Sequence, residues 1–216
     1  MLLGVLAPRR RTGVGLLWHD NPFVTRSSEN RSVSSELVTA RLRLRPWTNE
    51  DYEPLVELFA KPEFWWYPMR RGLTRPETAL YLIRRLAEQN RGELVDWVAE
   101  DRATGRLIGH IGFGVPDAVP EILPCVEIGW RIGPDYWGRG LATEGARAAL
   151  QRGFTRLGLT EVVAICEPEN VASVRVAEKL GMRFDCQAKD CADGFPLLIY
   201  RLSESEWRSG QTERRD

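Results

Sequence analysis

The chain has 216 residues, with thirty basic side chains balanced by thirty acidic ones. That zero net charge offers no electrostatic footprint for nucleic acid or an anionic membrane surface, so neither is expected as a partner. No apolar run approaches the roughly 20 residues of a membrane span. The length is that of one domain able to bury a sizeable core. Cys125, Cys166, Cys186 and Cys191 lack the paired spacing of a zinc site and are too few for a disulfide scaffold. No metal is expected, and a reduced, cytoplasmic protein is the default reading.

Residues 1–36 are serine-rich with mixed charge and read as a poorly ordered extension. Their apolar start is too short for a secretory segment and precedes Arg9-Arg10-Arg11 instead of following a basic stretch. The domain is expected over 37–207. Leu42 and Leu44 alternate with Arg41, Arg43 and Arg45, which predicts a first strand with one polar face. Thr48-Asn49-Glu50-Asp51 offers capping chemistry ahead of Tyr52, Leu55, Leu58 and Phe59 at helical spacing. The aromatic stretch Phe64-Trp65-Trp66-Tyr67 follows, and a second helix is expected from Thr74 through Leu86. Leu94 to Glu100 and Leu107 to Val115 read as an antiparallel pair turned at Asp101–Gly105. Val126, Ile128, Trp130 and Ile132 share one face of the next strand, stopped by Gly133-Pro134.

A turn bearing Gly138 and Gly140 then leads into a helix with Leu141, Ala149, Leu150, Phe154 and Leu157 on one side and Gly158 as its left-handed cap. Such a strand–turn–helix junction presents backbone N–H groups and a positive dipole end to an anion. Residues 160–166 form a β-branched strand. Asn170 caps a short helix over Val171–Leu180, closed by Gly181. Arg183 to Gln187 and Leu197 to Leu202 read as the last strands, joined through Asp190–Gly194. The tail from Ser203 is polar and expected to fray, with 208–216 outside the domain.

The composite of Glu127-Ile128-Gly129-Trp130, Trp137-Gly138-Arg139-Gly140-Leu141-Ala142-Thr143-Glu144, Asn170-Val171-Ala172-Ser173 and Glu178-Lys179-Leu180-Gly181 resembles the GNAT superfamily of N-acetyltransferases. Within it the likeness is to the RimJ/RimL-like branch, where the acyl-CoA signature Gln/Arg-x-x-Gly-x-Gly/Ala carries a Trp, here Trp137, in its first place. The resemblance covers roughly residues 37–207. It implies an α/β (α+β) fold, with a mixed, mostly antiparallel sheet, helices on both faces, and element order β-α-α-β-β-β-α-β-α-β-β. It also implies that the strand at Glu127 and the strand at 160–166 splay apart into a cofactor cleft.

The activity so implied is direct transfer of an acetyl group from acetyl-CoA to a primary amine, a protein or peptide α-amine or a small amine. A polyamine or aminoglycoside acceptor is the alternative within the same chemistry, and a non-catalytic acyl-CoA-binding regulator is the alternative outside it. The backbone of Gly138, Arg139, Gly140, Leu141, Ala142 and Thr143 would hold the diphosphate, with Trp137 beside it. Gly129, Trp130 and Ile132 would meet the thioester and pantetheine arm, as would Asn170 unless it serves only as a cap. Glu127 points away from the apolar face and is the candidate base, or else a carboxylate paired with Arg41 or Arg43. Ser173, and after it Tyr200, would protonate the departing thiolate, while for Ser173 the alternative is a hydroxyl bonding its own helix end. Glu144 reads as a dipole-complementing acid. Trp65, Trp66 and Tyr67 would line the acceptor groove or plug the gap beneath the helices, and His110 reads as a groove or core residue. Monomer and homodimer are both compatible with this reading.

Overall fold

The computed structural model describes residues 36–65, 70–91 and 96–212. The short strand β1 (Leu37–Val38) precedes β2 (Leu42–Arg45), and helices α1 (Tyr52–Phe59) and α2 (Arg75–Asn90) follow. Then come β3 (Asp96–Asp101), β4 (Leu107–Gly114), β5 (Glu127–Ile132), α3 (Leu141–Arg152), β6 (Glu161–Cys166), α4 (Val171–Leu180), β7 (Arg183–Lys189), β8 (Pro196–Ser203) and α5 (Glu204–Thr212). The strands form one sheet in the order β1-β2-β3-β4-β5-β6-β8-β7. Every neighbouring pair is antiparallel except β5 and β6.

Helices cover both faces because the strands carry apolar side chains on both. On one face α3, α4 and α5 bury Leu150, Ala177 and Trp207 against Leu44, Ile111, Ile128 and Ala164. On the other, Leu55, Phe59 and Leu82 of α1 and α2 close over Val98 together with Phe64 and Trp65. Further along that second face, Val163, Leu197 and Ile199 gather with Val119 and Cys125. Gly145 lets α3 lie close to the sheet, since a Cβ there would come within 2.4 Å of Ile111 Cδ1.

The parallel pair holds the decisive irregularity. β5 and β6 share only the register Glu127↔Val163, with Val163 N–H donating to Val126 O at 2.8 Å. Beyond that point β5 runs on to Ile132 without a β6 partner, which is the expected splay. Both strands lead from the open end of this V into helices, so the first turns of α3 and α4 stand at its mouth.

Two elements depart from the expected list. β1 adds an eighth strand to the sheet edge. The tail that was expected to fray is instead helical: α5 buries Trp207, whose ring centroid lies 6.0 Å from that of Phe154. Its start is held by Ser203, whose N–H and hydroxyl both donate to Glu206 Oε2, at 3.0 and 2.8 Å. Among the described residues no helix is long and apolar enough to cross a membrane, and no cluster of His, Cys, Asp and Glu could hold a metal ion. The poorly ordered extension expected over 1–36 lies, except for Glu36, outside the described residues, as do 213–216 and the start of the strand expected from Leu94.

Candidate active site

The turn between β5 and α3 is built from two left-handed glycines, Gly138 at φ 73° and Gly140 at φ 75°. Few L residues adopt that conformation, which is why glycine stands at both positions. A Cβ on Gly138 would meet nothing within 4 Å, and one on Gly140 only Arg41 Nη2 at 3.7 Å, so the space above the turn is open. Among the described residues nothing accepts from the N–H groups of Gly138, Arg139 and Gly140. The first-turn amides of Leu141, Ala142 and Thr143 have no intrahelical acceptor either. Six main-chain donors at the positive end of a 12-residue helix suit a diphosphate.

Trp137 has a definite task beside this cradle. Its indole N–H donates to Ile132 O at 2.6 Å, tying the turn to the last residue of β5, while over half of the side chain remains exposed. Arg139 stays exposed, bonding Asp135 O at 2.9 Å and lying over the Tyr136 ring.

At the mouth of the V, Asn170 caps α4 by accepting the Ser173 N–H at 3.0 Å. The Ser173 hydroxyl does not bond its own helix end. It accepts from the Trp130 indole N–H at 3.1 Å and also hydrogen-bonds the Cys166 side chain. Beside it the Cys166 thiol is pushed up to about 11, chiefly by burial, with the Ser173 hydroxyl opposing and Glu127 adding to the rise. Tyr200 is buried on the same face of the sheet, opposite Ala164, and its hydroxyl pKa is raised, first by burial and then by the charges of Glu178 and Cys166.

Glu127 faces the other way, as the alternation requires. It pairs with Gly114 on one side and Val163 on the other. Arg41 and Arg43 are occupied by Glu144 and by Glu36 and Glu100, so the ion-pair alternative for Glu127 is not realised. Among the described residues its carboxylate makes no hydrogen bond or ion pair. Burial raises its pKa to about 7, the negative charge of Asp117 contributes to the rise, and Arg131 opposes both. Next to it the sheet surface is bare: Gly112 pairs with Gly129, Gly114 pairs with Glu127, and a Cβ on Gly114 or Gly129 would meet nothing within 4 Å. That strip is open space on the face of the sheet that carries Glu127.

The strip ends at Arg131, which the sequence reading passed over although it shares the two-residue period of Glu127. Its guanidinium lies 4.5 Å from the Trp65 ring centre and donates to Phe64 O at 3.1 Å. Trp65 itself is buried in the α1–α2 core, and among the described residues its indole N–H finds no acceptor. Trp66 and Tyr67 lie outside the described residues. His110, opposite Arg131, has both ring nitrogens engaged: Nδ1 with Asp96 Oδ2, and Nε2 with the Tyr81 hydroxyl at 3.4 Å. Asp96 is held at about 2 although burial alone would raise it, because His110, then Arg85 and Trp47, favour its charged form. His110 is thus a satisfied wall residue. Asp96 and Tyr81 were not singled out beforehand, since only the sheet register and the seating of α2 bring them to it.

Comparison with known proteins bears on this arrangement directly. Residues 41–183 match the family model described as an acetyltransferase (GNAT) domain. The chain is 35% identical over 155 residues to the uncharacterised protein YkkB of Bacillus subtilis (strain 168), covering 71% of this chain and 88% of that one. It is 33% identical over 150 residues to the uncharacterised N-acetyltransferase YoaA of the same strain, covering 68% and 82%. A crystal structure of a GNAT-family acetyltransferase from Bacillus anthracis superposes with a TM-score of 0.66 at 26% identity, covering 79% of this chain and 99% of that one. The splayed β5–β6 pair, the glycine turn at the head of α3 and these matches together make the chain a member of the GNAT acetyltransferase family.

Proposed function

We propose that this protein transfers the acetyl group of acetyl-CoA to a primary amine, with Glu127 as the base and Ser173 as the acid. The observation that carries the reading is a half-buried carboxylate of pKa about 7, without a cationic partner among the described residues, at the edge of an open strip of sheet. Glu127 would take a proton from the acceptor ammonium, directly or through one water. The freed amine nitrogen then attacks the thioester carbonyl carbon, whose oxygen would be met by main-chain N–H along the unpaired edge of β5. As the carbon–sulfur bond breaks, Ser173 would donate its proton to the sulfur and regain one, by way of water, from the nitrogen, which sheds its second proton as the amide forms; Tyr200 stands second for that task. Base and acid lie on opposite faces of the sheet with the V between them, so each reaches the reacting carbonyl from its own side.

The cradle of Gly138 to Thr143 would hold the diphosphate, Trp137 would brace it, and the Asn170 amide would meet the pantetheine arm while its oxygen caps α4. Trp137 in the first place of the signature supports the RimJ/RimL-like branch. Four free cysteines support a reduced, cytoplasmic setting.

Magnitudes favour an α-amine. Proton transfer from an α-ammonium of pKa about 7.8 to a carboxylate near 7 is uphill by about 1 kcal/mol, whereas from a lysine-like ammonium near 10.4 it is uphill by about 5 kcal/mol. A panel of α-amino peptides, polyamines and aminoglycosides, followed by free CoA thiol, tests the proposal. The expected order of kcat/KM is α-amino peptides first. Thiol release with none of them, while acetyl-CoA still binds, would show a regulator in place of an enzyme.

A further inference from the structure

We propose that Arg41, 98 positions before Arg139 in the sequence, is a positioning residue that sets the orientation of the diphosphate cradle. The inference rests on the acetyl-CoA reading above and names a residue that the signature motif does not contain.

Arg41 sits in the turn between β1 and β2, at the sheet edge, and every corner of its guanidinium is used. Nε donates to Glu144 Oε2 at 2.7 Å, Nη2 pairs with the same oxygen at 2.6 Å, and Nη1 donates to Arg139 O at 2.7 Å. Its own backbone N–H donates to Glu144 Oε1 at 2.8 Å, and the Thr39 hydroxyl donates there too at 2.6 Å. Glu144 is consequently held below its ordinary pKa: burial pushes it up, but the bonds from Thr39 and Arg41 outweigh that. The turn carrying Arg41 is anchored in its own right, because Arg102 donates to Thr39 O at 2.5 Å and its N–H to Arg41 O at 2.9 Å.

The consequence follows from the planarity of one peptide. In a trans unit the carbonyl of residue 139 and the N–H of residue 140 point in opposite directions. With Arg139 O drawn outward to Arg41, the Gly140 N–H is turned inward, toward the open space over the cradle. Glycines at 138 and 140 make this turn soft, since both sides of φ are accessible to them, so the peptide needs an external hold. The pair Arg41–Glu144 supplies it, reaching both the turn and the first turn of α3.

The test is kinetic and uses two acyl donors that share the thioester but differ in the diphosphate: acetyl-CoA and S-acetylpantetheine. Arg41→Ala should raise KM for acetyl-CoA about tenfold or more with kcat within about twofold, since a charge-assisted bond to the cradle is lost. Turnover of S-acetylpantetheine should stay within about twofold of wild type. Arg41→Lys should fail to restore KM, because one ammonium cannot span Glu144 and Arg139 O as the planar fork does. An Arg41→Ala variant that loses both donors equally, or an Arg41→Lys variant with wild-type KM, overturns the proposal. So does an unchanged acetyl-CoA KM in Arg41→Ala, which would leave the acetyltransferase reading standing. Wild-type protein with no turnover of acetyl-CoA and no heat on mixing with it removes that reading and the clamp together.

Discussion

Glu127 shows how surroundings alter the chemistry open to a single side chain. In the unfolded chain its carboxyl has an ordinary pKa of 4.5, and in the fold it rises to about 7. A base must be deprotonated to work, so kcat/KM should climb through a one-proton limb near pH 7 and level off above it. Glu127→Gln should lower kcat by about 10²- to 10⁴-fold, abolish that limb and leave acetyl-CoA affinity unchanged. Loss of affinity alone would remove Glu127 from the base role. Stability has the opposite pH sense. The folded state holds this proton more tightly than the unfolded one, so the contribution is present below pH 4.5 and is lost as pH rises toward 7. Thermal melts should therefore show Glu127→Gln gaining on wild type between pH 5 and pH 8. The alternation along β5 sufficed to point Glu127 away from the core. That Glu127 makes no ion pair among the described residues could not be read, because Arg41 and Arg43 find Glu144, Glu36 and Glu100 only through folding.

Helices and strands were legible where neighbours in the chain decide them. Thr74 opens α2 with its oxygen toward Glu77 N, and Glu77 Oε2 answers by accepting Thr74 N–H at 2.8 Å. Thr74→Ala should cost about 1 kcal/mol, seen as a lower urea midpoint with an unchanged m-value. Gly181 ends α4 at φ 89°, and Gly158, at φ 72°, closes the π-helical turn Gly153–Leu157 that continues α3, both as left-handed caps. The short helix α5 escaped because its polar composition masked the capping pair Ser203 and Glu206, a spacing that was available to be read. What makes it stable is one aromatic contact that no local pattern announces, Trp207 against Phe154. Trp207→Ala should cost about 3–5 kcal/mol by the same denaturation measurement, and a cost under about 1 kcal/mol would mean that α5 hardly contributes. His110 makes the same point within a strand. The sequence put it on a strand as a groove or core residue, while the contact to Asp96 that engages it depends on the antiparallel register of β3 and β4.

For the molecule as a whole, the site is a property of sheet order. One parallel pair in an otherwise antiparallel sheet separates after a single register position and leaves a cleft between two helix starts. Filling it should stabilise the fold by mass action: acetyl-CoA at about 100 times its Kd contributes about 2.7 kcal/mol, a rise of about 5–10 °C in Tm for a domain of this size. A flat melting curve across a millimolar titration would count against the cradle as a coenzyme A site. The order of residues by itself determined the period of each strand, the caps and glycines of each helix, and the motif that aligns the turn with an anion, because these depend on spacings of a few residues. Only the tertiary structure decided that Glu127 makes no ion pair among the described residues, that Glu127 and Ser173 lie toward opposite faces of the sheet, and that Arg41 grips a carbonyl 98 positions away. Contacts across such a separation are set by which strands lie side by side and in what register, and that is a choice the whole core makes at once.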